Sequence, residues 1–136
     1  MNIENQTFYR NLLKTISDPF TGLFSKGGIM QIRKYMENML DDIFKHGCKT
    51  SQTIQNSEYY GKRGVVWSLT KENDIVFLSH YGTIILEHHL HGDGFNIRGG
   101  WSATDQRAIN DYLSYVGYYP SLMCKRHNDN LRLVVN

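Results

Sequence analysis

The segment Gly99–Asn110 constrains the fold of this chain more than any other, because it joins a tight turn to the start of a helix. Two consecutive glycines open the segment, and they allow a positive φ or a close approach to another backbone. We therefore expect the chain to reverse here and the Trp101 ring to be buried against the preceding strands. Thr104 is predicted to cap the following helix, with Asp105 in the first turn, where the helix dipole favours a negative charge.

Composition places the chain among ordinary globular proteins. Its 136 residues are 40% hydrophobic and 21% charged, which suits one domain with one core. Within residues 1–136 we distinguish a helical part (1–47) from a part with strands and one helix (58–136). No long apolar run or signal-like start is present, so we expect a soluble protein with no membrane partner. Cys48 and Cys124 match no metal or disulfide spacing, and no cofactor is predicted.

Hydrophobic periodicity predicts helices in the first part of the chain. Apolar residues repeat at helical spacing within 5–17 and again from Ile29 to Phe44, with Gly47 as the C′ residue. Residues 48–57 are polar and lack this period, so they are predicted to form a linker or surface loop.

From Gly64 the pattern changes to strands and turns, followed by a helix over Thr104–Val116. The class is therefore α+β: two amino-terminal helices pack on an antiparallel sheet of four or five strands, and the third helix closes the same face. The predicted strands are Val65–Leu69, Ile75–Leu78, Thr83–His91 and Phe95–Arg98, with Leu122–Cys124 and Leu131–Val135 as a final hairpin or edge strand.

The turn and the helix start resemble a small domain of unknown function found in bacteriophage proteins. Members often combine an Asp-Gly turn, a short strand, a Gly-Gly-Trp turn, an Arg-Ile-Asn sequence and an aromatic-leucine pair. The resemblance covers roughly residues 65–116 and implies a phage origin and action in the host cytoplasm, without a known chemistry. The matching residues are Asp93, Gly94, Gly100, Trp101, Thr104, Arg107, Ile109, Asn110, Tyr112 and Leu113, preceded by the Tyr81–Ile85 strand. We assign a structural motif to Gly99, Gly100, Trp101, Thr104, Arg107 and Asn110.

A histidine cluster is the main candidate for catalytic chemistry. His89, His91 and Asp93 have a spacing that would put two imidazoles on one strand face and a carboxylate just beyond it, with His88 on the opposite face. A metal-dependent hydrolase would need a further ligand, and Asp93 already serves the turn before Gly94. We therefore predict no metal site and no enzymatic activity, and a hydrolase remains the second alternative.

Binding is the function that the sequence favours. Residues 1–57 hold seven basic and five acidic side chains and residues 58–136 hold eight of each, so the chain lacks the clustered charge of a dedicated nucleic-acid binder. We predict a phage accessory protein that inhibits a host macromolecule, such as a CRISPR-Cas or other immune effector, in the manner of an anti-CRISPR protein. A nucleic-acid-binding phage protein is the alternative. The predicted partner-binding residues are basic pairs and nearby tyrosines: Tyr59, Tyr60, Lys62, Arg63, Tyr118, Tyr119, Lys125 and Arg126.

Overall fold

The computed structural model describes residues 31–57, 62–92 and 94–136. Over these residues the chain forms two helices and seven strands. In chain order they are α1 (Lys34–Phe44), β1 (Thr50–Ser57), β2 (Lys62–Glu72), β3 (Ile75–His80), β4 (Thr83–His89), β5 (Gly94–Ile97), α2 (Ala103–Tyr115), β6 (Leu122–His127) and β7 (Asn130–Val135).

Strands β1 to β5 form one antiparallel sheet in sequential order, so each strand pairs with its neighbour along the chain. Leu69, Leu78 and Leu86 lie opposite one another across β2, β3 and β4, and all three are fully buried. The pairing of β3 with β4 shifts after Leu78, which adds a residue to β4 and lets the adjacent Ile85 and Leu86 both be buried. This row of apolar side chains forms the inner face of the sheet.

Helix α1 packs on β1, on β2 and on α2 through one apolar stripe. Met36, Met39, Leu40 and Ile43 recur at helical spacing and are buried. The periodicity predicted a helix from Ile29, whereas the described helix begins at Lys34. The predicted helix within 5–17 lies outside the described residues.

Helix α2 is buried on nearly every side, because it contacts α1, β4 and β6. Its polar side chains are therefore paired with specific partners. Asp111 accepts a hydrogen bond from Arg33 at 2.8 Å, and the Tyr115 hydroxyl donates to Asp41 at 2.7 Å. Both contacts tie α2 to α1 or to the residue before it, so one hydrophobic cluster joins the two helices, the sheet and β6.

Strands β6 and β7 form a separate two-stranded sheet. Asn128 and Asp129 join them with φ values of +50° and +63°, as a two-residue type I′ hairpin turn requires. The final hairpin predicted from the sequence is confirmed.

The prediction of a linker over residues 48–57 is wrong, because Thr50–Ser57 is strand β1. It pairs along its length with β2, and the register shifts between Thr53 and Ile54. A polar sequence suits a strand with only one hydrogen-bonded neighbour, since the backbone rather than apolar side chains supplies the pairing. The α+β class and the antiparallel sheet are confirmed, while the count and placement of the helices differ from the prediction. No helix in the part of the chain described here is long and apolar enough to cross a membrane.

Candidate binding site

The turn before α2 passes so close to neighbouring elements that only glycine fits. A Cβ atom on Gly99 would lie 2.9 Å from the carbonyl oxygen of Ile84. Gly100 has a φ of +89°, and a Cβ there would lie 3.1 Å from Ile85 and 3.2 Å from Leu131. The two glycines therefore let the turn rest against β4 and β7, and they fix where the next residue points.

Ser102, and not Thr104, caps α2. The Ser102 hydroxyl accepts a hydrogen bond from the Asp105 amide at 3.0 Å, and Asp105 Oδ2 accepts from the Ser102 amide at 3.4 Å. This reciprocal pair is a capping box, which satisfies amides that the helix leaves free. The prediction for Thr104 is wrong because the cap lies two residues earlier, at Ser102, and the helix begins at Ala103. Thr104 and Arg107 are exposed, whereas Asn110 is buried.

The expectation that Trp101 is buried is also wrong, because 64% of its surface is exposed. Ile85 and Leu131 pack directly against Gly100, whereas the indole ring of the next residue lies at the surface. The backbone of Trp101 is nevertheless fixed, since its amide donates to Asp105 Oδ2 at 3.2 Å. The turn therefore presents a large aromatic side chain outward from a rigid base.

His80, the last residue of β3, pairs with Asp105 at the base of the same turn. The two side chains meet at 2.7 Å between Nδ1 and Oδ1. Burial by itself raises the pKa of Asp105, but hydrogen bonds with His80 and Ser102 and from the Trp101 amide hold the pKa below its ordinary value. Because an ionised carboxylate only accepts, Nδ1 of His80 carries the hydrogen and donates.

The His80 ring lies between two other aromatic rings. It stacks on buried Trp67 with ring centroids 3.8 Å apart and planes 4° apart, and it contacts Tyr81 with centroids 4.6 Å apart. Tyr81 and Gly82 form the turn between β3 and β4, with φ values of +49° and +82°. These values are the ones that a two-residue type I′ hairpin turn requires, although a positive φ is uncommon for a residue as bulky as tyrosine.

A cavity of about 380 Å³ lies between the β3–β4 turn and the start of α2. Tyr81 and Trp101 line it, and each is 64% exposed. The lining contains one carboxylate and no lysine or arginine. The full lining is His80, Tyr81, Thr83, Ile85, Gly100, Trp101, Ser102, Thr104 and Asp105. We call this cavity the Trp101 pocket.

The amino-terminal group of predicted partner-binding residues lies at the β1–β2 connection. Tyr59 and Tyr60 fall outside the described residues. Lys62 and Arg63 are the first residues of β2. Their part in binding remains a prediction.

The carboxyl-terminal group of predicted partner-binding residues is split between the core and the surface. Tyr118 is buried, with its ring edge-on to that of Phe95 at a centroid distance of 5.2 Å, and its part in binding stays a prediction. Tyr119 is half-buried against the core. Lys125 and Arg126 are exposed on β6.

The histidines do not share a strand face as their spacing suggested. Strand β4 ends at His89, so His91 lies in the following turn, where it pairs with Asp74 at 3.0 Å. His89 instead pairs with Glu87 at 3.2 Å. Asp93 lies outside the described residues, and among the others no three His, Cys, Asp or Glu side chains are grouped to hold a metal ion.

His88 lies on the inner face of the sheet. Its ring stacks on Phe95 with centroids 4.3 Å apart, and its Nδ1 lies 2.8 Å from the Tyr112 hydroxyl. Burial, together with the nearby His89, lowers the pKa of His88 to about 3. His88 is therefore an uncharged part of the core at neutral pH.

Sequence reasoning did not assign His80, Tyr81 or Ser102 to a binding site. The Ser102-x-x-Asp105 spacing matches a capping box, so the helix start could have been predicted from this local pattern. The pairing of His80 with Asp105 depends on how strands β1 to β5 pair with one another. No local sequence pattern predicts that register. No protein-family model, curated protein sequence or solved structure matches this chain.

Proposed function

We propose that this chain is a non-enzymatic binding protein that recognises a protein partner through the Trp101 pocket. The exposure of the Trp101 ring carries the proposal. Tryptophan is among the residues most enriched where interfaces concentrate their binding energy. Contact with water is unfavourable for a large apolar ring. A partner that covers the Trp101 and Tyr81 rings would remove both from water.

The rigidity of the turn supports the same function. Gly100 packs against Ile85 and Leu131, and the Trp101 amide is bonded to Asp105. A contact residue whose backbone is already fixed loses less conformational freedom when a partner binds. The Asp105 carboxylate of the capping box thus fixes the Trp101 backbone in addition to capping the helix.

The charge of the site favours a protein over a nucleic acid. Binding to a phosphate backbone depends on lysine and arginine, and none lines the Trp101 pocket. Arg126, an exposed cation elsewhere, is paired with Asp129 at 2.9 Å. Nucleic-acid binding is therefore the alternative, and a metal-dependent hydrolase is the second alternative.

The resemblance to a phage domain extends the proposal. We propose that the protein is a phage accessory protein that acts in the host cytoplasm. Its partner would be a host macromolecule that is inhibited on binding, such as a bacterial immune effector. This part of the proposal depends on the resemblance of Gly99–Asn110 and its surroundings, and the Trp101 pocket supplies the surface through which inhibition would operate.

The experiment is an affinity capture from bacterial lysate, with and without nuclease, followed by affinity measurements on the purified partner. We expect capture to survive nuclease treatment and Trp101→Ala to weaken binding by about 30-fold or more, as for a central contact residue. The matched control is Ile54→Ala, since Ile54 is 55% exposed on β1 and does not line the pocket. It should change the affinity by less than about twofold.

Two outcomes contradict the proposal. Unchanged affinity in Trp101→Ala would show that the pocket is not the interface. Loss of capture after nuclease treatment would favour the nucleic-acid alternative. The same assay tests Tyr60→Ala, Arg63→Ala and Tyr119→Ala, which the sequence predicts to weaken binding.

A further inference from the structure

The chemistry of the Trp101 pocket indicates which group of a partner it accepts. Resting on the proposed function, we propose that the pocket receives an arginine side chain of the partner, with its guanidinium group against the Trp101 and Tyr81 rings. The charge, the rings and the hydrogen-bonding state of the turn each support this choice.

The pocket carries negative charge without a compensating lysine or arginine. Asp105 is ionised at neutral pH, because hydrogen bonds with His80 and Ser102 lower its pKa in spite of burial. Its carboxylate is part of the lining. A positive ligand is therefore attracted to the pocket, and a phosphate or carboxylate is repelled.

The start of α2 does not offer the anion site that helix starts often provide. Such sites depend on free backbone amides at the first turn. Here the amides of Trp101 and Ser102 donate to Asp105 Oδ2, and the amide of Asp105 donates to the Ser102 hydroxyl. These three donors are already engaged, so an anionic ligand would have to compete with the protein's own carboxylate.

Two exposed rings favour a flat cation. Aromatic faces attract cations, tryptophan most strongly, and a planar guanidinium can stack on a ring while its edge donates hydrogen bonds. Trp101 and Tyr81 supply the faces, and the hydroxyl groups of Thr83 and Thr104 in the same lining offer acceptors. An ammonium group lacks the planar edge, which is why arginine is the proposed residue rather than lysine.

The test is a titration followed by NMR with two small probes that differ only in charge. The probes are Nα-acetyl-arginine methylamide and the citrulline compound of the same shape, each added up to about 0.1 M, with sodium chloride keeping the ionic strength equal in all samples. We expect saturable shifts of the Trp101 indole and of the amides at 99–105. The arginine compound should bind about tenfold more tightly than the citrulline compound.

Two variants test whether the aromatic ring of Trp101, rather than another part of the surface, gives the preference for the arginine compound. Trp101→Leu keeps an apolar side chain at an exposed position but removes the aromatic face, so it should abolish the preference for the arginine compound. Ile54→Ala changes an exposed residue that does not line the pocket, so it should retain that preference. The amide spectrum of each variant shows whether its fold is intact.

Equal binding of the two compounds, or no shift at 99–105 with either, would overturn this inference. The proposed function has its own readout, the affinity of Trp101→Ala for the captured protein. If that affinity falls while the arginine compound fails to bind, only the inference fails. If the arginine compound binds but the variant holds its partner normally, the proposed function fails.

Discussion

The side chain of Asn110 bonds to both backbone groups of Cys124. Its Nδ2 donates to the Cys124 carbonyl at 3.1 Å, and its Oδ1 accepts from the Cys124 amide at 2.7 Å. The buried Asn110 side chain thus forms the two hydrogen bonds with β6 that the backbone of a neighbouring strand would otherwise form. This contact attaches the β6–β7 hairpin, which belongs to a separate sheet, to helix α2.

Asn110→Ala should lower the free energy of unfolding by about 2–3 kcal/mol, because the buried Cys124 amide loses its acceptor. Gln106→Ala is the matched control. The Gln106 side chain donates to the same carbonyl at 3.2 Å, but that carbonyl still accepts from Asn110 in the variant. Its loss should cost less than about 1 kcal/mol. Urea denaturation measures both, and equal losses would contradict the special role of Asn110.

The two tryptophans should respond oppositely to truncation. Trp67 is 6% exposed and stacks between Tyr35 and His80, so Trp67→Ala should cost about 3–5 kcal/mol. Trp101→Ala removes an exposed ring and should cost less than about 0.5 kcal/mol. Chemical denaturation of the two variants provides the comparison. A cost above about 2 kcal/mol for Trp101→Ala would mean that the turn depends on the ring.

Substitutions at the start of α2 distinguish the two candidate caps. Ser102→Ala removes the acceptor for the Asp105 amide and should destabilise the protein by about 1 kcal/mol. Thr104→Ala changes an exposed side chain and should remain within about 0.5 kcal/mol of the original. Thermal or urea unfolding can rank them. The reverse ranking would restore Thr104 as the cap.

Acid should destabilise the protein through His88. The pKa of this histidine falls from an ordinary 6.5 to about 3 on folding. Below pH 6.5 the unfolded chain therefore binds a proton that the folded chain excludes, so the free energy of unfolding decreases as the pH falls. We expect this histidine to contribute a loss of about 2 kcal/mol between neutral pH and about pH 5.

His88→Gln isolates this effect, since glutamine can still hydrogen-bond with Tyr112 but does not titrate. Unfolding free energies measured across that pH range should be flatter in this variant than in the original. His127→Gln, at an exposed position at the end of β6, should keep the original slope. Parallel curves for His88→Gln and the original protein would show that His88 is not the group responsible.

Elements with an apolar period were predictable from the sequence, and one polar element was not. The stripe of Met36, Met39, Leu40 and Ile43 identifies α1 because burial of that face stabilises the helix. Strand β1 has no such stripe. It is stabilised by backbone pairing with β2 and by contacts such as the hydrogen bond of the Ser51 hydroxyl with Asp42, and these partners lie elsewhere in the chain.

The candidate site shows a similar division between local and long-range information. The glycines located the turn. The Ser102-x-x-Asp105 spacing also marks the helix start, although Thr104 was predicted as the cap. The exposure of the Trp101 ring was not predictable, because the packing of this turn involves Ile85 and Leu131, which meet Gly100. These two residues belong to β4 and β7, which are distant in the sequence. Whether Trp67 or Trp101 is buried therefore depends on the three-dimensional packing.

The enclosure of α2 by α1, β4 and β6 also determines how the backbone amides exchange with solvent. Amide hydrogens in an enclosed helix exchange mainly when the whole protein unfolds, whereas those of a surface turn exchange through local opening. The amides at 99–102 should therefore exchange faster than those of Ile109–Leu113 in the free protein. A partner seated on Trp101 should protect the first set and leave the second almost unchanged, so deuterium uptake can locate the bound surface without any substitution.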